Sequence, residues 1–219
     1  MSDTIYEIIE GGTAEVVRKK SRFIGKLVRV TSEEEALAEI EAARKVHYNA
    51  RHNCFAYIID GEKAGLPTDL TRSSDDGEPS QTAGKQIADS LTNRGLTNAL
   101  CIVTRYFGGV LLGTGGLSAA YRDASLASID TSVLAERKTG RSVTISSDYN
   151  DYGKIDYLLR QKEIPVTGSD FGAGVTISVI CPEGVPLEAQ ITDAVSGRAR
   201  YTEGEAVTYA FADGKLIFL

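Results

Sequence analysis

Thr97-Asn-Ala-Leu-Cys-Ile-Val-Thr-Arg-Tyr-Phe-Gly-Gly-Val-Leu-Leu-Gly-Thr-Gly-Gly-Leu117 is the stretch on which the reading of the fold turns. Thr97 to Thr104 is apolar through much of its length, which predicts a central, buried strand. Glycines at 108, 109, 113, 115 and 116 then lead into a helix predicted over about 116–134. Glycine permits positive φ and lets a backbone approach a ligand closely. Free N–H groups at a helix start bind anions, and Arg105 adds a guanidinium suited to bidentate contact. Arg105, Tyr106, Gly108, Gly109, Gly113, Gly115 and Gly116 are therefore candidates for holding a phosphate, from a nucleotide or an RNA backbone. The same glycines would equally serve a tight strand–helix connection. There is no Gly-Lys-Ser/Thr, so this is not a P-loop, and the G-x-G-x-x-G spacing is absent.

Upstream, short strands are predicted over Thr4–Ile9, Ala14–Val17 and Phe23–Val30. Thr31 or Ser32 caps a following helix, with Glu34 or Glu35 three residues on as in a capping box. That helix ends near Val46. Asn53–Asp60 reads as a strand, and Gly61–Pro79 as a long polar loop of the kind that is often functional. A helix opens at Ser80 or Gln81 and runs to about Asn93. The first half is thus β-β-β-α-β-α-β-α, a two-layer sheet with helices.

Downstream, Arg137-Lys-Thr-Gly-Arg141 is short and polar, and the element order restarts beyond it. We place a domain boundary there, giving domains 1–136 and 137–219. The second reads as strand 142–147, helix 149–161, strands 164–170 and 175–181, helix 186–195 and strand 199–211. That β-α-β-β-α-β order is ferredoxin-like, so the fold class is α+β throughout.

Three further segments carry candidate chemistry. Asp75, Asp76 and Glu78 crowd into four positions; they suit Mg²⁺ or a general base, or simply a solvated loop with Ser80 capping the next helix. His52 and Cys54 lie two apart on a strand and share a face. They invite a test for a Cys–His nucleophile, against the ordinary reading of a core thiol. Arg18, Lys19, Lys20, Arg22 and Lys26 form a basic run without an acidic residue, suited to phosphate contact or to one charged face of a strand.

The 219 residues are 42% hydrophobic and 25% charged, an ordinary globular composition. A net charge of −6 does not suit a protein that coats nucleic acid by charge alone, though it leaves room for a local basic patch. Adhesion to an anionic membrane is not expected. Cys54, Cys101 and Cys181 are widely spaced, without a C-x-x-C pair, which supports neither a zinc site nor a disulfide framework. No leader peptide and no apolar stretch of membrane-spanning length is read. We expect a cytoplasmic protein.

Lys20-Ser-Arg-Phe-Ile-Gly25, Ala50-Arg-His-Asn-Cys54, Asp75-Asp-Gly-Glu-Pro79 with Thr82-Ala-Gly84, and Arg105 to Leu117 occur in this order. Together they resemble the motifs of the IMPACT/YigZ family over about residues 1–130, and residues 139–219 look like the C-terminal domain of its bacterial members. No counterpart of the RWD domain of eukaryotic relatives is read here. The resemblance implies a ribosomal-protein-S5-domain-2-like first domain and a ferredoxin-like second one, a pairing similar to the last two domains of translocase elongation factors. Eukaryotic relatives regulate translation by interfering with activation of an initiation-factor kinase. The resemblance further implies that His52, Asp75, Asp76, Glu78 and Arg105 form one site.

The expectation is a non-catalytic, translation-associated regulator contacting RNA, the ribosome or a translation-regulatory protein. No cofactor, resident metal or DNA is expected. The alternative is a metal-dependent phosphoester or nucleotide hydrolase using the glycine-rich and acidic loops.

Overall fold

The structure, a computed structural model, describes residues 4–61 and 65–219. Residues 1–3 of the N-terminal stretch and 62–64 of the long polar segment lie outside the described residues. The chain divides into two compact units, Met1–Glu136 and Arg137–Leu219.

In the first unit the order is β1 (Tyr6–Glu10), β2 (Thr13–Arg18), β3 (Ser21–Arg29), α1 (Glu33–Val46), β4 (His52–Ile59), β5 (Leu70–Ser74), α2 (Gly84–Asn93), β6 (Ala99–Tyr106), α3 (Gly113–Asp130) and β7 (Val133–Glu136). The sheet runs β2-β3-β6-β4-β5 with every neighbour antiparallel, and β1 pairs with β7 in a separate ribbon.

β6 is the central strand, and helices cover both of its faces. Successive side chains of a strand point to opposite sides. Cys101 and Val103 meet Ile87 and Leu91 of α2 and Leu117, Ala120 and Tyr121 of α3. Leu100 and Ile102 meet Ala36, Ile40 and Ala43 of α1. Burial on both sides is the physical reason this strand reads as an unbroken apolar run. It also makes three layers where two were expected.

The α1 cap forms as read. Ser32 Oγ accepts the Glu35 amide at 3.2 Å, and the Glu35 carboxylate accepts the Thr31 amide at 2.7 Å. That amide holds the Glu35 carboxyl below its ordinary range.

The second unit comprises β8 (Lys138–Ser147), α4 (Tyr149–Gln161), β9 (Val166–Phe171), β10 (Val175–Pro182), α5 (Leu187–Val195), β11 (Arg200–Ala212) and β12 (Lys215–Phe218). Its antiparallel order is β12-β11-β8-β10-β9. Without the terminal β12 the strands run fourth-first-third-second, the ferredoxin-like arrangement. Ile155, Leu159, Leu187 and Ile191 of the helices pack on Val143, Ile145, Val175 and Ile177 of the sheet. Asp151 in the first turn of α4 takes a two-pronged contact from Arg198 at 2.8 and 2.7 Å.

Several expected boundaries shift. The long polar segment contains β5, and α2 begins at Gly84 rather than 80 or 81. α3 ends at Asp130, leaving 133–136 free to pair as β7. The polar link at 137–141 is largely the start of β8, and the tail forms β12. No described helix is long and apolar enough to cross a membrane.

Candidate functional site

Register sets the site. Arg105 on β6 stands opposite His52 on β4 and Phe23 on β3, so three side chains line up across the sheet on the side of α2 and α3. The acidic loop folds back over this row, turning through Asp76 (φ +42°) and Gly77 (φ +85°).

Each acidic side chain of the loop has separate partners. Asp75 accepts the amides of Ala83 and Gly84, both at 2.9 Å, and of Gln81 at 2.8 Å. It therefore closes the start of α2, whose adjoining Ala83 has no side chain to do so. Asp75, not Ser80, is the cap. The Asp76 carboxylate accepts the Asn53 amide at 2.7 Å and Arg44 Nη2 at 3.2 Å. The Asp76 carbonyl meets His52 Nδ1 at 2.8 Å; a carbonyl only accepts, so Nδ1 carries the proton. His52 Nε2 then faces Glu78 Oε1 at 3.8 Å.

Glu78 is the hub. Its Oε1 accepts from Arg105 Nη1 and, at 2.8 Å, from the Tyr121 hydroxyl. The Glu78 and Arg105 side chains are only 3% and 7% exposed. The guanidinium lies between the Phe23 and Phe107 rings, at 5.4 and 5.5 Å. Among the described residues its Nε, also buried, has no acceptor. Burial pushes the Tyr121 hydroxyl up, with Cys54 and Glu78 adding to it, so the phenol stays a neutral donor.

Cys54 Sγ donates to the Asp75 carbonyl at 3.0 Å, and burial pushes the thiol up to about 12. A nucleophilic cysteine needs the opposite shift. The carboxylates are likewise committed to amides, Arg44, Arg105 and Tyr121. Among the described residues no three His, Cys, Asp or Glu side chains are gathered as metal ligands.

The glycine-rich segment divides in two. Gly108 is a close-packing glycine: a Cβ there would lie 2.0 Å from the Lys20 carbonyl carbon, and its amide donates to Ser21 Oγ at 3.1 Å. Gly116 is close to Leu112, whereas Gly109, Gly113 and Gly115 face open space. Gly109 and Gly113 take φ of +82° and +72°. α3 starts without a side-chain cap or an acidic residue in its first turn. Tyr106 points to the other side of the sheet, where its hydroxyl meets His47 Nδ1 at 2.9 Å and Arg22 lies over its ring.

The basic run is mostly neutralised by carboxylates outside it. Arg18 pairs with Asp123 at 2.9 Å, Arg22 with Glu15 at 2.8 Å and Lys26 with Glu39 at 2.9 Å. Lys19 and Lys20 form the β2–β3 turn, both at positive φ (45° and 67°). They are exposed and make no ion pair among the described residues.

Residues 19–129, which hold both loops, match the Impact N-terminal domain, and residues 145–198 match a domain of unknown function, DUF1949. The chain belongs to the IMPACT family. It is 36% identical to the IMPACT family member YvyE of Bacillus subtilis, over 95% of this chain and 94% of that one. Identity to the member YigZ of Escherichia coli is 38%, over 82% and 87%. A crystal structure described as a hypothetical protein shares 29% identity over 94% of this chain and 99% of its own, with a TM-score of 0.57.

In this IMPACT-family chain His52, Asp75, Asp76, Glu78 and Arg105 do come together in space. Sequence reasoning missed Tyr121, Arg44 and Asn53 as their partners. Tyr121 carried a signal: a tyrosine on the apolar face of a helix requires a partner for its hydroxyl. Arg44 and Asn53 carried none, because only the folded loop brings Asp76 to them.

Proposed function

We propose that this chain is a non-catalytic, cytoplasmic regulator associated with translation, contacting RNA or the ribosome through the Lys19–Lys20 turn and the adjoining glycine-rich loop. Membership of the IMPACT family supports the link to translation. One observation carries the contact surface. The two lysines, without ion-pair partners among the described residues, are tied, through Ser21 Oγ and the Gly108 amide, to a loop whose following helix starts without a side-chain cap. Cationic side chains and helix-start amides together favour phosphate. With a net charge of −6 the contact is local rather than spread over the surface. The hydrolase reading has less support, since Glu78 and Arg105 neutralise one another and Asp75 and Asp76 hold backbone amides.

Binding to ribosomes and to structured RNA, measured against salt, tests this. Affinity should fall as salt rises, and the double variant Lys19→Ala/Lys20→Ala should flatten the log–log slope by roughly 1–2. Absent binding, or a slope the variant leaves unchanged, overturns the reading.

A further inference from the structure

We propose that Phe107 is a stacking platform for an unpaired base of single-stranded RNA, with Lys19 and Lys20 engaging the phosphates beside it. The inference rests on the RNA-contacting reading above and adds the class of RNA and the residue that receives it.

Two phenylalanine rings flank the Arg105 guanidinium, and they differ in access. Phe23 is wholly buried, whereas Phe107 is 44% exposed. Phe107 is backed by a cation that is itself fixed: Arg105 is buried and held by Glu78, which Tyr121 holds in turn. An aromatic ring restrained from behind gives up little freedom when a base lies on it. The neighbouring Gly108 packs against the Lys20 backbone and donates to Ser21 Oγ, so the residue after the ring is held against the β2–β3 turn. At that turn lie the two cations of the basic run that have no carboxylate partner among the described residues.

An open aromatic face beside unpaired positive charge matches how single strands are held. Bases stack on the ring without regard to sequence while cations track the backbone. In a duplex the base faces are already covered, and recognition passes to shape and backbone. A protein partner is the competing occupant, since Val110 and Leu111 on the same loop are also exposed. The unpaired lysines favour the polyanion.

The test uses the full chain, a twelve-nucleotide oligoadenylate and an abasic ribose-phosphate strand of equal length. Phe107→Ala and Phe107→Leu should each weaken oligoadenylate binding roughly 5- to 100-fold and leave abasic binding nearly unchanged. The leucine variant keeps apolar bulk, which separates loss of the ring face from loss of folding. The chain has no tryptophan, so Phe107→Trp installs a single indole whose emission should be quenched by oligoadenylate and not by the abasic strand. Equal affinity for the two strands, with all variants binding like the parent, overturns stacking and leaves the phosphate contact standing. If the parent binds neither strand, no structured RNA and no ribosome, both readings fall. Ribosome binding that is lost in Phe107→Ala while oligoadenylate is never bound assigns the ring to a protein contact and overturns the proposal.

Discussion

The acidic loop and the glycine-rich loop lie in the same unit, and both draw the eye as candidates for chemistry. They resolve oppositely. In the acidic loop Asp75, Asp76 and Glu78 all have their charge taken up inside the protein, by amides and by Arg44, Arg105 and Tyr121. In the glycine-rich loop Gly109, Gly113 and Gly115 face open space, the helix start has no cap, and Phe107 is half exposed. A cluster of charges in a sequence therefore says little about charge offered to a ligand. On the reading proposed above, the exposed groups without partners among the described residues form the contact surface.

The comparison breaks if the acidic loop proves dispensable for folding. Glu78→Ala leaves Arg105 buried without its counter-ion and should cost about 3–5 kcal/mol, the usual penalty for breaking a buried pair from one side. Chemical denaturation measures it, and Glu78→Gln, which keeps an acceptor for Tyr121, should lose less. Asp75→Ala removes the acceptor for three amides at the start of α2 and should cost about 2 kcal/mol, at the upper end for loss of a helix cap. Lys19→Ala and Lys20→Ala should each shift the denaturation midpoint by no more than about 0.5 kcal/mol equivalent. A large stability loss there would mean that the turn, too, is engaged internally.

What was legible in the sequence follows from range. α4 was read over its full extent, because its periodicity and ends are local. β6 was legible because burial on both faces writes itself as an apolar run. β5, Leu-Thr-Arg-Ser-Ser, was not, because an edge strand with mostly exposed residues carries no such pattern. The first half of β7, Val133-Leu134, passed for the end of α3, since only pairing with β1, over a hundred residues away, makes it a strand. The start of α2 was misplaced because its cap, Asp75, comes from eight or nine residues upstream, outside the usual capping window. The candidate residues were legible as types. Their partners depended on tertiary contacts: Asp123 for Arg18 and Glu39 for Lys26 are invisible to a reading of the basic run alone.

The β2–β3 hairpin places two lysines in left-handed backbone conformations, where a two-residue turn ordinarily favours Asn-Gly. Each side chain with a Cβ is held there against a steric preference. Redesigning the pair as Asn-Gly would relax the backbone and erase both positive charges in one step. On the reading proposed above, stability should then rise while RNA affinity falls, as expected of a turn whose residues serve an encounter rather than the architecture.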